Sequence, residues 1–206
     1  DGKYSDHEKA NRSLFLERMG IVYREESKTS DAVSAYKQML ELGDDYARTG
    51  YQGEVDAYRD AHQWKDATTA AAEAAKVLPK DHAVQLMYAG QLCDVGQVDE
   101  GIALAKAQFS DKSSASEQRD GHLALAQMYT RLKRFPEAAA ELDSASALTT
   151  KPDETLYVTF LRGALADREK RFDDAEAQFK KALTIDPQNA TILNYYGYML
   201  ADRGVQ

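Results

Sequence analysis

The sequence is poor in several features that define common classes of protein. It has one cysteine, Cys93, so no disulfide can form within the chain. It has only four prolines, and no apolar run reaches the ~18 residues that a membrane-spanning helix needs. The formal charge of −8 argues against binding to nucleic acid, which requires clustered lysine and arginine. The same charge argues against a basic helix lying on a membrane surface.

The residues that are abundant favour helix. Alanine, leucine, lysine, glutamate and glutamine have high helix propensity, and no stretch alternates apolar and polar residues over the length of a strand. The apolar content of 43% is sufficient to bury a core in a chain of 206 residues. We therefore expect an all-α protein.

Pairs of small or slim residues recur along the chain. The two members of each pair are always twelve residues apart, and successive pairs begin 35, 34, 37 and 37 residues apart. Small side chains at both points allow two helices to approach closely in an antiparallel hairpin. The pairs are Gly20 with Ala32, Val55 with Ala67, Ala89 with Gly101, Ala126 with Ala138, and Gly163 with Ala175. A further step of 34 residues reaches Gly197, which has no second member.

This register resembles that of the tetratricopeptide repeat (TPR) family. Residues 163–187 carry its pattern of small, large, small and closing proline at Gly163, Ala175, Phe179, Ala182 and Pro187. Glu54, Gln85, Gly101, Gln108 and Arg162 depart from it. The late segment YGYMLADRG has a bacterial character.

The resemblance implies a right-handed α-α superhelix, or solenoid, of stacked antiparallel hairpins. It divides the chain into an N-terminal extension of the first helix and a single solenoid of five full repeats and a half repeat. The boundaries are 1–12 for the extension and 13–206 for the solenoid, with repeats at about 13–47, 48–81, 82–118, 119–155, 156–189 and 190–206.

In such a stack the first helix of each repeat lines a concave groove that holds an extended peptide or a partner helix. The late repeats would contribute aromatic, amide and arginine side chains, a composition typical of binding hot spots. The candidate groove residues are Gln127, Arg131, Tyr157, Phe160, Arg168, Asn194, Tyr195 and Tyr198. Each aromatic residue in this set is either part of the core or exposed in the groove, and the pattern leaves both readings open. The paired lysines and asparagines with which some family members hold a C-terminal carboxylate are absent.

The sequence offers no recognisable catalytic, cofactor or metal site. The four histidines are scattered without metal-ligand spacing, Cys93 has no neighbouring base, and no phosphate-binding loop is present. We expect a non-catalytic scaffold or adaptor that binds a protein or peptide. The alternative is a regulatory or recognition domain of a larger enzyme or of an envelope or secretion component.

Two further expectations concern the ends of the chain. It begins at Asp1 without an apolar targeting segment, which leaves a soluble protein of the cytoplasm or of the bacterial periplasm. At the other end, Leu193, Tyr196 and Leu200 have no second helix to cover them, which favours a fragment of a longer protein. Their apolar face predicts self-association.

Overall fold

A computed structural model describes residues 4–204, and helices account for most of them. Residues 1–3 of the expected N-terminal extension and residues 205–206 of the half repeat lie outside the described part. The described residues form eleven α-helices joined by short connections and no strand. The helices are α1 (Asp6–Glu25), α2 (Thr29–Leu40), α3 (Asp44–Asp60), α4 (Trp64–Val77), α5 (His82–Asp94), α6 (Val98–Lys106), α7 (Ala115–Arg131), α8 (Phe135–Ala147), α9 (Pro152–Arg168), α10 (Phe172–Ile185) and α11 (Ala190–Asp202).

The helices fall into two compact units. The first unit ends at Gln108 and contains α1 to α6, and the second begins at Phe109 and contains α7 to α11. Within each unit every helix packs against the next one in sequence. First helices of successive repeats also touch, α1 with α3 and α3 with α5 in the first unit and α7 with α9 in the second. Each unit is therefore a stack of helical hairpins.

The recurring small residues lie where the hairpins close. All ten members of the five predicted pairs are buried. Gly163 shows why a small residue is needed, since a Cβ on it would lie 2.6 Å from Cε1 of Phe179 on the second helix of the same hairpin. Gly20 faces the ring of Tyr36 in the same way. An aromatic ring therefore fills the space that the missing side chain leaves.

The turn between the two helices of each hairpin has one conformation throughout. Its residue in the left-handed region is Ser27, His62, Gly96, Lys133 or Lys170, with φ of 59°, 57°, 89°, 58° and 61° respectively. The next amide donates to a carbonyl five residues back, as Lys28 N does to Tyr23 O at 2.7 Å and Arg171 N to Ala166 O at 2.8 Å. This is the Schellman arrangement that ends helices. Only Gly96 is the residue type that this conformation favours.

The residues that depart from the repeat pattern make specific polar or close contacts. Buried Glu54 pairs with Lys37, with 3.3 Å between Oε1 and Nζ. Gln85 donates from Nε2 to the carbonyl of Ala75 at 2.9 Å. Arg162 reaches the carboxylate of Asp143 at 2.6 Å. These side chains replace apolar contacts by hydrogen bonds and ion pairs, and the hairpin register continues unchanged.

Candidate peptide-binding surface

The candidate groove residues lie on the first helices of the second unit. Gln127 and Arg131 are on α7, Tyr157, Phe160 and Arg168 on α9, and Asn194, Tyr195 and Tyr198 on α11. Six of the eight line one pocket of about 320 Å³, which we call the arginine pocket: Gln127, Arg131, Tyr157, Phe160, Arg168 and Tyr195. Asn194 is exposed on α11 and does not belong to this lining.

Two aromatic residues form both the wall of the arginine pocket and part of the core. Phe160 meets Tyr195 edge to face, with ring centroids 5.6 Å apart and planes at 90°. Tyr195 also lies 5.4 Å from the ring of Phe179, which is fully buried. The position of this wall is thereby fixed by the aromatic core of the second unit. Phe160 and Tyr195 therefore pack against the aromatic core and also line the arginine pocket.

Tyr157 and Tyr198 are different, because both are exposed to solvent. Tyr157 is 43% exposed and Tyr198 is 77% exposed. The hydroxyl of Tyr157 accepts a hydrogen bond from Nε2 of Gln127 at 2.9 Å, which links α9 to α7 across the rim of the pocket. Exposed aromatic side chains beside a pocket can bury large areas when a ligand binds.

The Tyr195 hydroxyl is held in its neutral, hydrogen-bonding form. It donates to Oδ2 of Asp167 at 3.2 Å. Burial, and then the charge of Asp167, raise the pKa of Tyr195 above its usual value, while the nearby Arg168 opposes this shift. Because the ordinary tyrosine pKa is already about 10, the group stays protonated at neutral pH. Tyr195 is therefore a fixed polar group at the edge of the pocket.

A second pocket, of about 450 Å³, shares Tyr195 with the arginine pocket. We call it the aspartate pocket, because Asp167 and Asp202 are part of its lining. Tyr195 and Tyr198 line it together with Phe172, Met199 and Arg203. Two of the candidate groove residues, Tyr195 and Tyr198, thus border this second depression.

Sequence reasoning missed part of both linings. Thr130, Leu161 and Ala164 also line the arginine pocket, and Asp167 and Asp202 give the second pocket its charge. Leu161 and Ala164 could have been found from the helical register, because they lie four residues after Tyr157 and Phe160 respectively on α9. The two aspartates carry no local pattern that distinguishes them from ordinary solvated carboxylates.

The first helices of the first unit present a different surface. Nε of Arg24 lies 2.8 Å from Asp60, and its Nη1 lies 3.5 Å from Asp56. Arg59 on α3 reaches Asp94 on α5 at 3.4 Å. Burial raises the pKa of Asp56, and the neighbouring Arg24 and Arg59 oppose that shift. Charges in this unit are therefore matched between successive first helices.

Features typical of catalytic, metal-binding or membrane-spanning proteins are few among the described residues. Cys93 is buried, and His122 is half-buried, with its Nδ1 2.6 Å from Oε2 of Glu141 and its ring edge-on to Phe109. No group of three or more potential metal ligands occurs within residues 4–204. None of the described helices combines the length and apolar character needed to cross a membrane.

Comparison with known proteins agrees with the repeat architecture. Residues 156–204 match the family model described as tetratricopeptide repeat. No curated protein matches the chain. The prediction of an all-α helical-repeat fold similar to that of TPR proteins is confirmed.

Solved structures with a similar fold come from proteins of distant sequence. A thermophilic TPR protein of Thermus thermophilus, TTC0263, is 16% identical, with a TM-score of 0.58 over 92% of this chain and 99% of that one. The quorum sensor NprR of B. thuringiensis, in its apo form, is 12% identical, with a TM-score of 0.59 over 98% of this chain and 60% of that one. A chain of the APC/C hetero-tetramer Cut9–Hcn1 is 13% identical, with a TM-score of 0.56 over 94% of this chain and 37% of that one. These similarities establish the fold, and repeats of this fold typically serve protein–protein interaction.

Proposed function

We propose that this protein is a non-catalytic scaffold or adaptor whose second unit binds a peptide or a partner helix. The observation that carries the proposal is the arginine pocket, whose lining includes six of the candidate groove residues, on three successive first helices. An apolar floor with a few polar groups at the rim is the usual form of a binding site. Cut9 is described in a hetero-tetramer with Hcn1, which is in keeping with an assembly role for this fold.

In this proposal Cys93 and His122, whose residue types act as nucleophile or base in many enzymes, have structural roles. The thiol of Cys93 is buried, and its Sγ lies 3.8 Å from the carbonyl of Val98. His122 is occupied by Glu141 and Phe109. A regulatory or recognition domain of a larger enzyme, or of an envelope or secretion component, would use the same pocket. The two versions differ in what the rest of the protein does.

The experiment begins with a binding peptide, selected by displaying random dodecamers to the immobilised protein. Tyr157→Ala and Tyr198→Ala remove exposed rings beside the two pockets, so we expect each to weaken binding about 10-fold while helical content is unchanged. Phe15→Ala is the matched control, because Phe15 is 63% exposed on α1 of the first unit. Calorimetry and circular dichroism give the two readouts. Equal loss in the control, or no loss in either tyrosine variant, contradicts the proposal.

We also propose that the protein self-associates through α11. Leu193 is 45% exposed, and no described atom lies within 4 Å of a Cβ built on Gly197. This helix face is therefore open where the equivalent face of α9, at Gly163, is covered by Phe179. Sedimentation at increasing concentration should show association that Leu193→Lys abolishes. A monomer at every concentration overturns this proposal.

A further inference from the structure

Helix α1 of the first unit is apolar on two opposite faces. Its inner face carries Leu16 and Gly20, which are buried. Arg18 lies midway between them in sequence and about 200° away from each around the helix axis. The four residues one turn before and after Arg18 are apolar and exposed by 51%, 63%, 43% and 49% respectively: Leu14, Phe15, Ile21 and Val22. We call these four residues and Arg18 the α1 stripe. A helix that packs on one side only normally carries polar residues on the other, so the α1 stripe has the composition of a covered face.

Two residues of the α1 stripe occupy positions that are buried in every other repeat. Phe15 lies five residues before Gly20, and Val22 lies two residues after it. The equivalent residues of the five later repeats are all buried: Gly50 and Ala57, Val84 and Gln91, Gly121 and Met128, Val158 and Leu165, and Ile192 and Met199. Only in the first repeat are both positions exposed, and both carry apolar side chains there.

The later repeats show what kind of element covers these positions. A Cβ on Gly50 of α3 would lie 2.6 Å from Cδ2 of Leu40 on α2, and Ile192 of α11 shares a core cluster with Ala182 on α10. The covering element is therefore the second helix of the preceding hairpin. A short connection joins α2 to α3, so the two helices run antiparallel. No helix precedes α1 among the described residues, and its stripe has the shape that receives an antiparallel helix.

Arg18 at the centre of the α1 stripe determines the charge of a helix that fits there. Within residues 4–204 it makes no hydrogen bond, ion pair or ring contact. A helix packed on the four apolar side chains would exclude water from the guanidinium between them, and a buried charge without a partner is costly. A carboxylate removes that cost, because it accepts two parallel hydrogen bonds from a guanidinium. An arginine surrounded by apolar contacts is also typical of binding hot spots.

Two other occupants of the stripe are disfavoured by charge. In a symmetric pair of antiparallel α1 helices, each stripe would face the same stripe of the second copy. Arg18 would then lie opposite its own equivalent, and neither stripe contains a carboxylate. An anionic membrane surface is disfavoured because the stripe has a single cation and α1 carries Glu17 and Glu25 beside it.

We propose that the α1 stripe is a docking surface for an amphipathic helix of a partner protein, and that the apolar face of this helix contains one aspartate or glutamate. The partner helix lies antiparallel to α1, as α2 does to α3. Its carboxylate pairs with Arg18, and its aliphatic residues one turn before and after the carboxylate pack on Phe15 and Val22. The surface belongs to the first unit, so this inference does not depend on the peptide site proposed for the second unit.

The test uses three synthetic helices that differ at one position. Each is about 21 residues long, because isolated helices shorter than about 12–15 residues are marginal in water. Leucines lie three and four residues before and after a central glutamate, glutamine or lysine, where they share one face of the helix. The unmodified protein should bind the glutamate helix about 10-fold more tightly than the glutamine helix, and the lysine helix more weakly still. Fluorescence anisotropy measures the three affinities.

Charge reversal makes the test independent of lost folding. Arg18→Glu should reverse the preference, so that the lysine helix binds most tightly. Lys65→Glu on α4 changes the net charge of the same unit equally and should leave the preference unchanged. Phe15→Ala and Val22→Ala should each weaken binding of the glutamate helix about 5-fold, with circular dichroism unchanged because both side chains are exposed. A gain of binding to the lysine helix cannot come from an unfolded protein.

The other outcomes overturn the inference and separate it from the proposed function. Equal binding of the three helices shows that the stripe does not recognise a carboxylate. If Tyr157→Ala weakens the glutamate helix and Arg18→Glu leaves the preference unchanged, the helix binds the second unit, and the inference fails while the proposed function stands. If the protein alone associates in sedimentation, and Phe15→Lys abolishes this while Leu193→Lys does not, the occupant is a second copy. Binding to vesicles of anionic phospholipid that Phe15→Ala abolishes identifies a membrane instead.

Discussion

The two units use one repeat register for different surfaces. In the first unit, Arg24 and Arg59 are matched by aspartates on the next first helix. In the second, the positions equivalent to Asp56 and Asp60 are held by Ala164 and Arg168, and both line a pocket. The first unit also has the more polar core. Three polar or charged residues are buried among the described residues, and two of them, Glu54 and Gln91, lie in the first unit. The comparison shows that the repeat register fixes which positions face a neighbour, while the residue at each position decides which charges lie there.

The substitution with the largest expected effect on stability tests this comparison at the position of Gln91. Gln91 occupies the position held by the buried residues Ala57, Met128, Leu165 and Met199 in four of the other five repeats. In the first repeat this position is held by the exposed Val22. The side chain of Gln91 is fully buried, and neither its Oε1 nor its Nε2 has a hydrogen-bond partner among the described residues.

We expect the two units to respond oppositely to exchange at this position. Met128→Gln should reduce the free energy of unfolding by about 2–3 kcal/mol, because it buries an amide among apolar groups. Gln91→Met should increase it by about 1 kcal/mol. Urea unfolding of both variants provides the measurement. Destabilisation by Gln91→Met would show that the amide is satisfied and would weaken the contrast between the units.

Gly163 and Gly197 test whether an aromatic ring from the second helix sets the need for glycine. A Cβ at Gly163 would lie 2.6 Å from the buried ring of Phe179, whereas a Cβ at Gly197 meets no described atom within 4 Å. Gly163→Ala should destabilise the protein by about 1–2 kcal/mol, as overpacking does. Gly197→Ala should stabilise it by about 0.5–1 kcal/mol through helix propensity. Thermal unfolding distinguishes the two, and the same sign for both variants contradicts the packing account.

Glu54 gives the smallest expected effect and a pH dependence. Burial raises the pKa of its carboxyl group, Lys37 opposes the shift, and Glu73 adds to it. A folded pKa above the unfolded value means that the folded state binds more protons, so stability falls as the pH rises from about 4.3 through the folded pKa. Glu54→Gln removes this loss and should raise the melting temperature more at pH 8 than at pH 4.5.

Glu54→Gln should change the free energy of unfolding by under about 1 kcal/mol, because the partner Lys37 is exposed. Glu137→Gln in the second unit is the control with the opposite sign. A hydrogen bond from Arg134 lowers the pKa of Glu137, so its ionised form stabilises the folded state. Glu137→Gln should therefore lower the melting temperature more at pH 8 than at pH 4.5. If both variants follow one direction with pH, the assignment of Glu54 as a buried, raised carboxyl is wrong.

The hairpin register could be predicted from the sequence because its cause is local and repeated. A close approach of two helices requires small residues at both contact points, and Gly163 with Ala175 shows this as clearly as any pair. The left-handed turn residues could not be predicted individually. Lys133 and Lys170 carry no glycine signal, and the hydrogen bonds of the turn hold them in that conformation.

The candidate surface could be predicted in part for a related reason. The helical register placed Gln127, Tyr157 and Phe160 on first helices, and they line one pocket. Register alone cannot distinguish a ring in the core from one in solvent. Phe160 is anchored against Tyr195, whereas Tyr198 at 77% exposure is not. That difference depends on which second helix lies beneath each ring, which is a property of the folded stack.

The central claim is that the second unit, and not the ion-paired first helices of the first, holds the partner. Nuclear magnetic resonance mapping with the display-selected peptide tests it without mutation, by following backbone amide shifts during titration. We predict saturable shifts that cluster on α7, α9 and α11 around Tyr157 and Tyr195, with α1, α3 and α5 unmoved. Shifts centred on Arg24, Asp56 and Arg59 would contradict the account.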